Sequence, residues 1–171
     1  MRILCLHGCR QTANIFNFIL SPFIIKSEHK YYFINGQHKC GEGNMWYSEK
    51  FKVGESNYIP KIVDPTLHQI SNAIQDNNIN MLLGFSQGAN VVDTYLQLSR
   101  DARIERAILF SGFSFKNITR DSLVPVITVY SKTDNIVDPK YSPVYINNRT
   151  LVHNQGHKMV VNETMRNALR L

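Results

Sequence analysis

Short apolar runs recur along the chain, separated by segments whose apolar residues return every three or four positions. The segments at residues 2–6, 30–34, 81–85, 106–110, 125–130 and 149–153 are strand-length, the first five rich in Ile, Leu, Val, Phe and Tyr, and they predict six β-strands. Helical spacing appears at 13–25, where Ile15, Phe16, Ile19 and Leu20 share a face and Pro22 perturbs the run. It returns at 65–76, with Asp64 placed to cap and Pro65 to open the helix, then at 89–99, and finally from about residue 159 to 169. Between residues 35 and 60 the pattern dissolves: Gly36, Gly41, Gly43, Gly54 and Pro60 punctuate a stretch that also holds Met45-Trp46-Tyr47, which predicts an extended loop. Strands that alternate with helices imply a mainly parallel sheet with right-handed crossovers and helices on both faces. The length of 171 residues suits one α/β domain spanning 1–171. In such sheets ligands bind beyond the C-terminal ends of the strands, so functional residues should follow strands.

One of them does so conspicuously. Gly84-Phe85-Ser86-Gln87-Gly88 stands between the apolar run at 81–85 and the helical segment from Ala89. A G-x-S-x-G at a strand-to-helix junction is a nucleophile elbow: the turn is tight enough to strain the serine backbone and lift its hydroxyl above the sheet. Serine is a poor nucleophile at neutral pH, so an imidazole must take its proton, and a carboxylate must hold that imidazole in the right tautomer. Asp134 follows the predicted fifth strand and His157 follows the sixth, on the Gly156 loop. Asp138, placed to cap a turn before Pro139, and His153, at the end of its strand, are the rival positions. The order Ser86, Asp134, His157 is the order of α/β-hydrolases, and all three fall on one rim of the sheet.

A second requirement is a pair of N–H donors for the oxyanion. The residue after the nucleophile, Gln87, supplies one. The loop after the first strand, Leu6-His7-Gly8-Cys9-Arg10-Gln11, supplies the other near Cys9, because Gly8 lets the backbone approach closely. His7 reads as a residue that bonds within this loop rather than one that reacts.

Composition changes the picture little. The chain is 43% hydrophobic and 19% charged, ordinary for a globular protein, and no apolar run is long enough to span a membrane. The N-terminal run is too short for a signal peptide, so a cytoplasmic protein is the expectation. Cys5, Cys9 and Cys40 make neither a disulfide framework nor a metal motif, and no metal or other cofactor is expected. The net charge of +6 comes from scattered Lys and Arg with no basic run, which argues against nucleic acid as a partner and leaves a surface that attracts anionic ligands.

The chain resembles the serine hydrolase family that includes the fungal FSH proteins and the human ovarian-cancer-associated gene 2 product. The matching stretches are Leu4-Cys5-Leu6-His7-Gly8-Cys9-Arg10-Gln11, Trp46, Gly84-Phe85-Ser86-Gln87-Gly88-Ala89, Leu109-Phe110-Ser111-Gly112-Phe113, Asp134-Asn135-Ile136-Val137 and His153-Asn154-Gln155-Gly156-His157. The resemblance implies an α/β-hydrolase fold, hydrolysis of carboxylic esters or, in some members, thioesters, and Ser86, Asp134 and His157 as the triad. The chain departs from it in a trimmed 36–60 loop, in Ser131 and Lys132 where a glycine-bearing turn is frequent, and in Gln155 before Gly156; these bear on substrate choice. Little chain lies between Phe110 and Val124, where larger hydrolases insert a lid, so an open cleft is expected. Trp46, Tyr47 and Phe113 are the candidates for an apolar acyl pocket. The expected activity is a cofactor-independent serine esterase acting on a small ester. A thioesterase using the same triad and a non-catalytic binding protein that keeps the fold are the alternatives.

Overall fold

A computed structural model describes residues 1–25, 27–48, 63–99, 101–115, 124–145, 148–160 and 166. Strands β1 (Arg2–Leu6), β2 (Lys30–Ile34), β5 (Met81–Phe85), β6 (Arg106–Phe110), β7 (Val126–Ser131) and β8 (Asn148–His153) form one six-stranded sheet in the order β2-β1-β5-β6-β7-β8. All five pairings within it are parallel. Helices α1 (Ala13–Ile24), α2 (Val63–Asn77) and α3 (Gln87–Ser99) cover it. This is the six-stranded α/β architecture expected from the alternation of elements.

The four inner strands, β1, β5, β6 and β7, are buried on both faces, and successive residues serve opposite cores. Leu4, Leu6, Leu82, Ala107, Leu109 and Val126 face a layer that includes Ile70 and Ile74 of α2 and Val91, Val92 and Tyr95 of α3. Ile3, Cys5, Met81, Leu83, Ile108, Phe110, Ile127 and Val129 face Phe16, Leu20 and Phe23 of α1. Two-sided burial is why these strands read as continuous apolar runs instead of alternating ones. Each large aliphatic side chain removed from water here contributes about 1.5–3 kcal/mol.

Element ends differ from expectation in instructive ways. Helix α1 runs through Pro22, whose missing N–H leaves the Phe18 carbonyl without its helical donor; the Ser21 hydroxyl takes its place at 2.8 Å. Helix α2 already includes Val63, so Asp64 lies in its first turn rather than at a cap, where a carboxylate still favours the positive end of the helix. Helix α3 starts at Gln87, two residues earlier than the sequence spacing suggests, because the elbow feeds the strand straight into the helix. The stretch read as a loop contains an antiparallel hairpin, β3 (His38–Cys40) and β4 (Gly43–Met45). Its strands are too short to display a period, and Gly41 at φ +62° makes the turn. Residues 49–60 of that loop, most of the 110–124 segment where a lid is expected to be missing, and most of the terminal helix expected at 159–169 lie outside the described residues; Met159 and Val160 are not helical, whereas Arg166 is.

The chain leaves β1 toward β2 on one side, and β5 lies on the other, so the strand order reverses between β1 and β5. The crevice beyond the C-terminal ends of those two strands is where a sheet of this kind binds ligands. Both the Gly8 loop and Ser86 open onto it.

Candidate active site

Ser86 extends the β5–β6 ladder by one bond, its N–H donating to the Phe110 carbonyl at 2.8 Å. It then turns at φ +54°, and its own carbonyl accepts the Asn90 N–H at 3.0 Å, the first step of α3. A non-glycine residue at positive φ is costly and persists only where its surroundings dictate it. The surroundings here are backbone. A Cβ at Gly84 would lie 2.6 Å from Ala89 Cα, and one at Gly88 would lie 2.3 Å from the Leu6 carbonyl oxygen. Both glycines of the motif are therefore demanded by the packing of the elbow on itself and on β1.

Three residues from three strand ends meet at this turn. His157 Nε2 lies 2.9 Å from Ser86 Oγ, and His157 Nδ1 lies 2.7 Å from Asp134 Oδ2. A carboxylate only accepts, so the Nδ1–H donates to Asp134 and the free Nε2 accepts from the serine hydroxyl. Asp134 Oδ1 accepts the N–H groups of Ile136 and Val137, each at 2.9 Å, which orients the carboxylate from its far side. The Asp134 side chain is 2% exposed. Burial alone would raise its carboxyl, but the Val137 amide, the His157 ring and the Ile136 amide outweigh it and hold the group below its ordinary value.

The His157 loop is built by side chains that composition does not flag. Gly156, at φ +68°, donates its N–H to Ser131 Oγ at 3.0 Å and to Thr133 Oγ1 at 3.2 Å, tying the β8 loop to the β7 loop. Phe85, the residue before the nucleophile, packs its ring 5.2 Å from the His157 ring centroid to centroid. The rivals stand elsewhere. Asp138 is exposed, caps a single 3₁₀ turn through the Lys140 N–H and pairs with the Lys140 ammonium. His153 is buried; its Nδ1 accepts from the Gln155 N–H at 3.2 Å, and burial pushes the ring below its ordinary value against the pull of Asp134.

Across the crevice, the loop after β1 is braced at every position but one. The Gly8 N–H donates to Gln11 Oε1 at 2.9 Å, the Arg10 N–H to the Asn44 carbonyl at 2.9 Å, and the Gln11 N–H to the Gly8 carbonyl at 3.2 Å. Neither the Cys9 N–H nor the Gln87 N–H meets a protein acceptor among the described residues. His7 is fully buried, with Nδ1–H donating to the Gly8 carbonyl at 2.8 Å and Nε2 accepting the Gly36 N–H at 3.1 Å. Burial pushes this ring below its ordinary value, with the Gly8 bond pulling the other way.

Trp46 and Tyr47 sit beneath this loop, 0% and 2% exposed. The Trp46 indole donates to the His7 carbonyl at 2.8 Å, and the Gln87 side chain clasps the pair by accepting the Trp46 N–H at 3.0 Å and donating to the Tyr47 carbonyl at 3.1 Å. The Tyr47 hydroxyl donates to Asn90, whose amide donates to the Phe113 carbonyl. Phe113 is 7% exposed. Gln87 and Asn90 thus couple the elbow to both flanking loops, a role with no signature in sequence spacing because each partner is remote along the chain. Among the described residues no three His, Cys, Asp or Glu side chains converge as metal ligands would, and no helix is long and apolar enough to cross a membrane.

Residues 1–166 match the family described as Serine hydrolase (FSH1). Esterase C25G4.2 of Caenorhabditis elegans is 29% identical over 163 residues, covering 80% of this chain and 74% of that protein. Esterase CG5412 of Drosophila melanogaster is also 29% identical, over 189 residues, covering 92% of this chain and 67% of that protein. Among solved structures, esterase PE8 superposes with a TM-score of 0.76 at 18% identity, covering 99% of this chain and 91% of its own. A carboxylesterase from Mesorhizobium loti also gives 0.76, at 14% identity, covering 99% and 86%. These structural likenesses establish the α/β-hydrolase fold.

Proposed function

Because the chain belongs to the serine hydrolase family described as Serine hydrolase (FSH1), we propose that it hydrolyses small carboxylic esters through an acyl-enzyme on Ser86. The observation that carries this reading is the unbroken chain of contacts from Ser86 Oγ to His157 Nε2 at 2.9 Å and from His157 Nδ1 to Asp134 Oδ2 at 2.7 Å. His157 takes the serine proton as Oγ attacks the ester carbonyl, and Asp134 holds the imidazole tautomer and stabilises the imidazolium that forms. The developing oxyanion is received by the N–H groups of Cys9 and Gln87. His157 then returns the proton to the departing alcohol, and a water activated by the same imidazole releases the acid.

Phe113, just beyond the end of β6, is the side chain we place against the acyl group. Trp46 and Tyr47 shape that pocket from behind, by holding the loops that border it. No step draws on a metal, so hydrolysis should survive EDTA. The net charge of +6 favours one variant of this reading, in which the acyl donor is a thioester of an anionic carrier; turnover of matched oxygen esters and thioesters separates the two. The test of the reading itself is a fluorophosphonate probe with mass mapping. The adduct should fall on Ser86 and vanish in Ser86→Ala, together with ester turnover. Full turnover in a clean Ser86→Ala preparation would overturn it.

A further inference from the structure

Hydrolysis uses the backbone of Cys9 and leaves its thiol without a task. That sulfur nevertheless has a neighbour. Arg10 and Gln11 are held against Asn44 of the hairpin, with the Arg10 N–H donating to the Asn44 carbonyl at 2.9 Å and the Asn44 N–H to the Gln11 carbonyl at 2.8 Å. In the same hairpin Cys40 stands opposite Gly43. Gly43 is the point of closest approach: a Cβ there would lie 2.1 Å from the Arg10 carbonyl oxygen. With no side chain in the way, the loop closes on the hairpin and brings Cys9 beside Cys40, near enough for the two thiols to influence each other. Both cysteines are free, Cys9 exposed and Cys40 half-buried, while Cys5 is sealed within β1.

We propose that Cys9 and Cys40 are a reversible dithiol–disulfide site through which hydrogen peroxide adjusts the oxyanion loop, an inference that rests on the role proposed above for the Cys9 N–H. One thiolate sulfur attacks a peroxide oxygen; the S–O bond forms, the O–O bond breaks, and water leaves. The second sulfur attacks the sulfenic sulfur; the S–S bond forms, the S–O bond breaks, and a second water leaves. Two electrons pass from the sulfur pair to the peroxide, and both thiol protons end in the waters.

The bond would draw the two sulfurs to about 2 Å. Gly8 is tied to Gln11, and Arg10 and Gln11 are tied to Asn44, so the strain of closure falls on Cys9 itself. Its N–H is the group whose aim matters. A misplacement of about 1 Å in a catalytic constellation costs up to roughly 10²-fold in rate. Partial burial and the nearby Cys40 sulfur push the Cys9 thiol up. A thiol raised in this way attacks slowly near neutral pH and departs slowly once bridged, so oxidation should speed up with pH and the bridge should persist until a dithiol reductant is added.

The experiment treats the full chain with hydrogen peroxide, removes the oxidant, and measures intact mass, a cysteine-linkage map and ester turnover. The expected product has lost two hydrogens, joins the peptides bearing Cys9 and Cys40, and turns over on the order of 10- to 100-fold more slowly. Dithiothreitol should reverse all three changes. Cys40→Ser should match the untreated wild type in turnover, form no bridge, and show no reversible inhibition. Failure of the bridge to form overturns the proposal, and so does a bridged protein that keeps its full rate. If the reduced protein turns over no ester at all, the hydrolase reading and the rate effect fall together, whereas the linkage map still decides whether the two cysteines are a disulfide site.

Discussion

Ser86 and Ser111 occupy the same backbone situation at neighbouring strand ends. Each directly follows its strand, β5 or β6, and each has a positive φ, +54° and +45°. Each donates its N–H to a carbonyl of the next strand at 2.8 Å, Ser86 to Phe110 and Ser111 to Val129. Their hydroxyls fare differently. Ser86 Oγ meets His157, whereas Ser111 Oγ, on a residue 1% exposed, finds no partner among the described residues. A strained strand-end serine is thus a product of how the twisted sheet hands its chain to the next element. What sets Ser86 apart is the imidazole and carboxylate that the loops after β7 and β8 bring to it. The bend at Ser111 serves packing, since the following Gly112 lies so close to α3 that a Cβ would sit 2.7 Å from Ala89 Cβ.

The largest effect expected separates the two serines outright. Ser86→Ala should lower kcat by roughly 10⁴-fold or more, because only substrate binding and the oxyanion donors remain. Ser111→Ala should keep wild-type kcat and KM, and removal of an unpaired buried hydroxyl should leave the protein as stable or more stable by up to about 1 kcal/mol. Steady-state kinetics and urea titrations on both variants check this. A Ser111→Ala protein crippled like Ser86→Ala would erase the distinction.

Next in size is the carboxylate. In Asp134→Asn the amide oxygen can still accept from Ile136 and Val137, so the loop should hold. Its NH₂ would face His157 Nδ1, however, and a donor there forces the proton onto Nε2, the atom that must accept from Ser86. kcat should fall by on the order of 10³–10⁴-fold near neutral pH with little change in melting temperature. Asp138→Asn keeps a capping side chain on an exposed turn, so turnover and melting temperature should both stay near wild type. Should Asp138→Asn be the inactive variant, the orienting carboxylate has been misidentified.

The parts of the site that could be read from the chain are those tied to strand ends. Ser86 and Asp134 follow strands whose apolar runs stand out, His157 follows one in which only Leu151 and Val152 are apolar, and the elbow glycines are local to the serine. What escaped is what hydrogen bonds assemble over distance. The hairpin at 38–45 has strands too short for periodicity, and its contact with Gln11 depends on a register that no local pattern encodes. Gln87 was legible as the residue after the nucleophile, yet its side-chain grip on Trp46 and Tyr47 spans some forty positions. The nearness of Cys9 to Cys40 was hidden for the same reason, since it follows from Gly43 meeting Arg10.

A third prediction sharpens the contrast between the two bends through their glycines. A Cβ at Gly88 meets the Leu6 and His7 carbonyl oxygens at 2.3 and 2.6 Å, atoms fixed in and just after a central strand. A Cβ at Gly112 meets only another methyl group that closely, the Ala89 side chain on α3. Gly88→Ala should therefore cost about 1–3 kcal/mol and lower turnover as well, because relief requires the elbow to shift. Gly112→Ala should cost less and leave more activity, and Ala89→Gly in the same chain should restore part of the loss. Equal costs with no rescue would mean that the bend after β6 is as rigidly framed as the elbow.

The smallest effect concerns charge at Asp134. Its carboxyl is held below the ordinary value in the folded protein, so the unfolded chain binds that proton more readily than the native state does. The stability this carboxylate contributes is therefore fully present above the ordinary carboxyl range and is lost as pH falls through the depressed native value. Asn at this position does not titrate. The stability advantage of the wild type over Asp134→Asn should be greatest near neutral pH and should narrow as pH is lowered through the acid range, measured by urea unfolding at a series of pH values. Asp138 is also held below its ordinary value, by Lys140, but the pair is exposed and salt-screened, so Asp138→Asn should show a weaker trend that fades with added salt. An advantage that stays constant through the acid range would show that the bonds to Ile136, Val137 and His157 do not depend on the charge of Asp134, and the imidazole would then be oriented by shape alone.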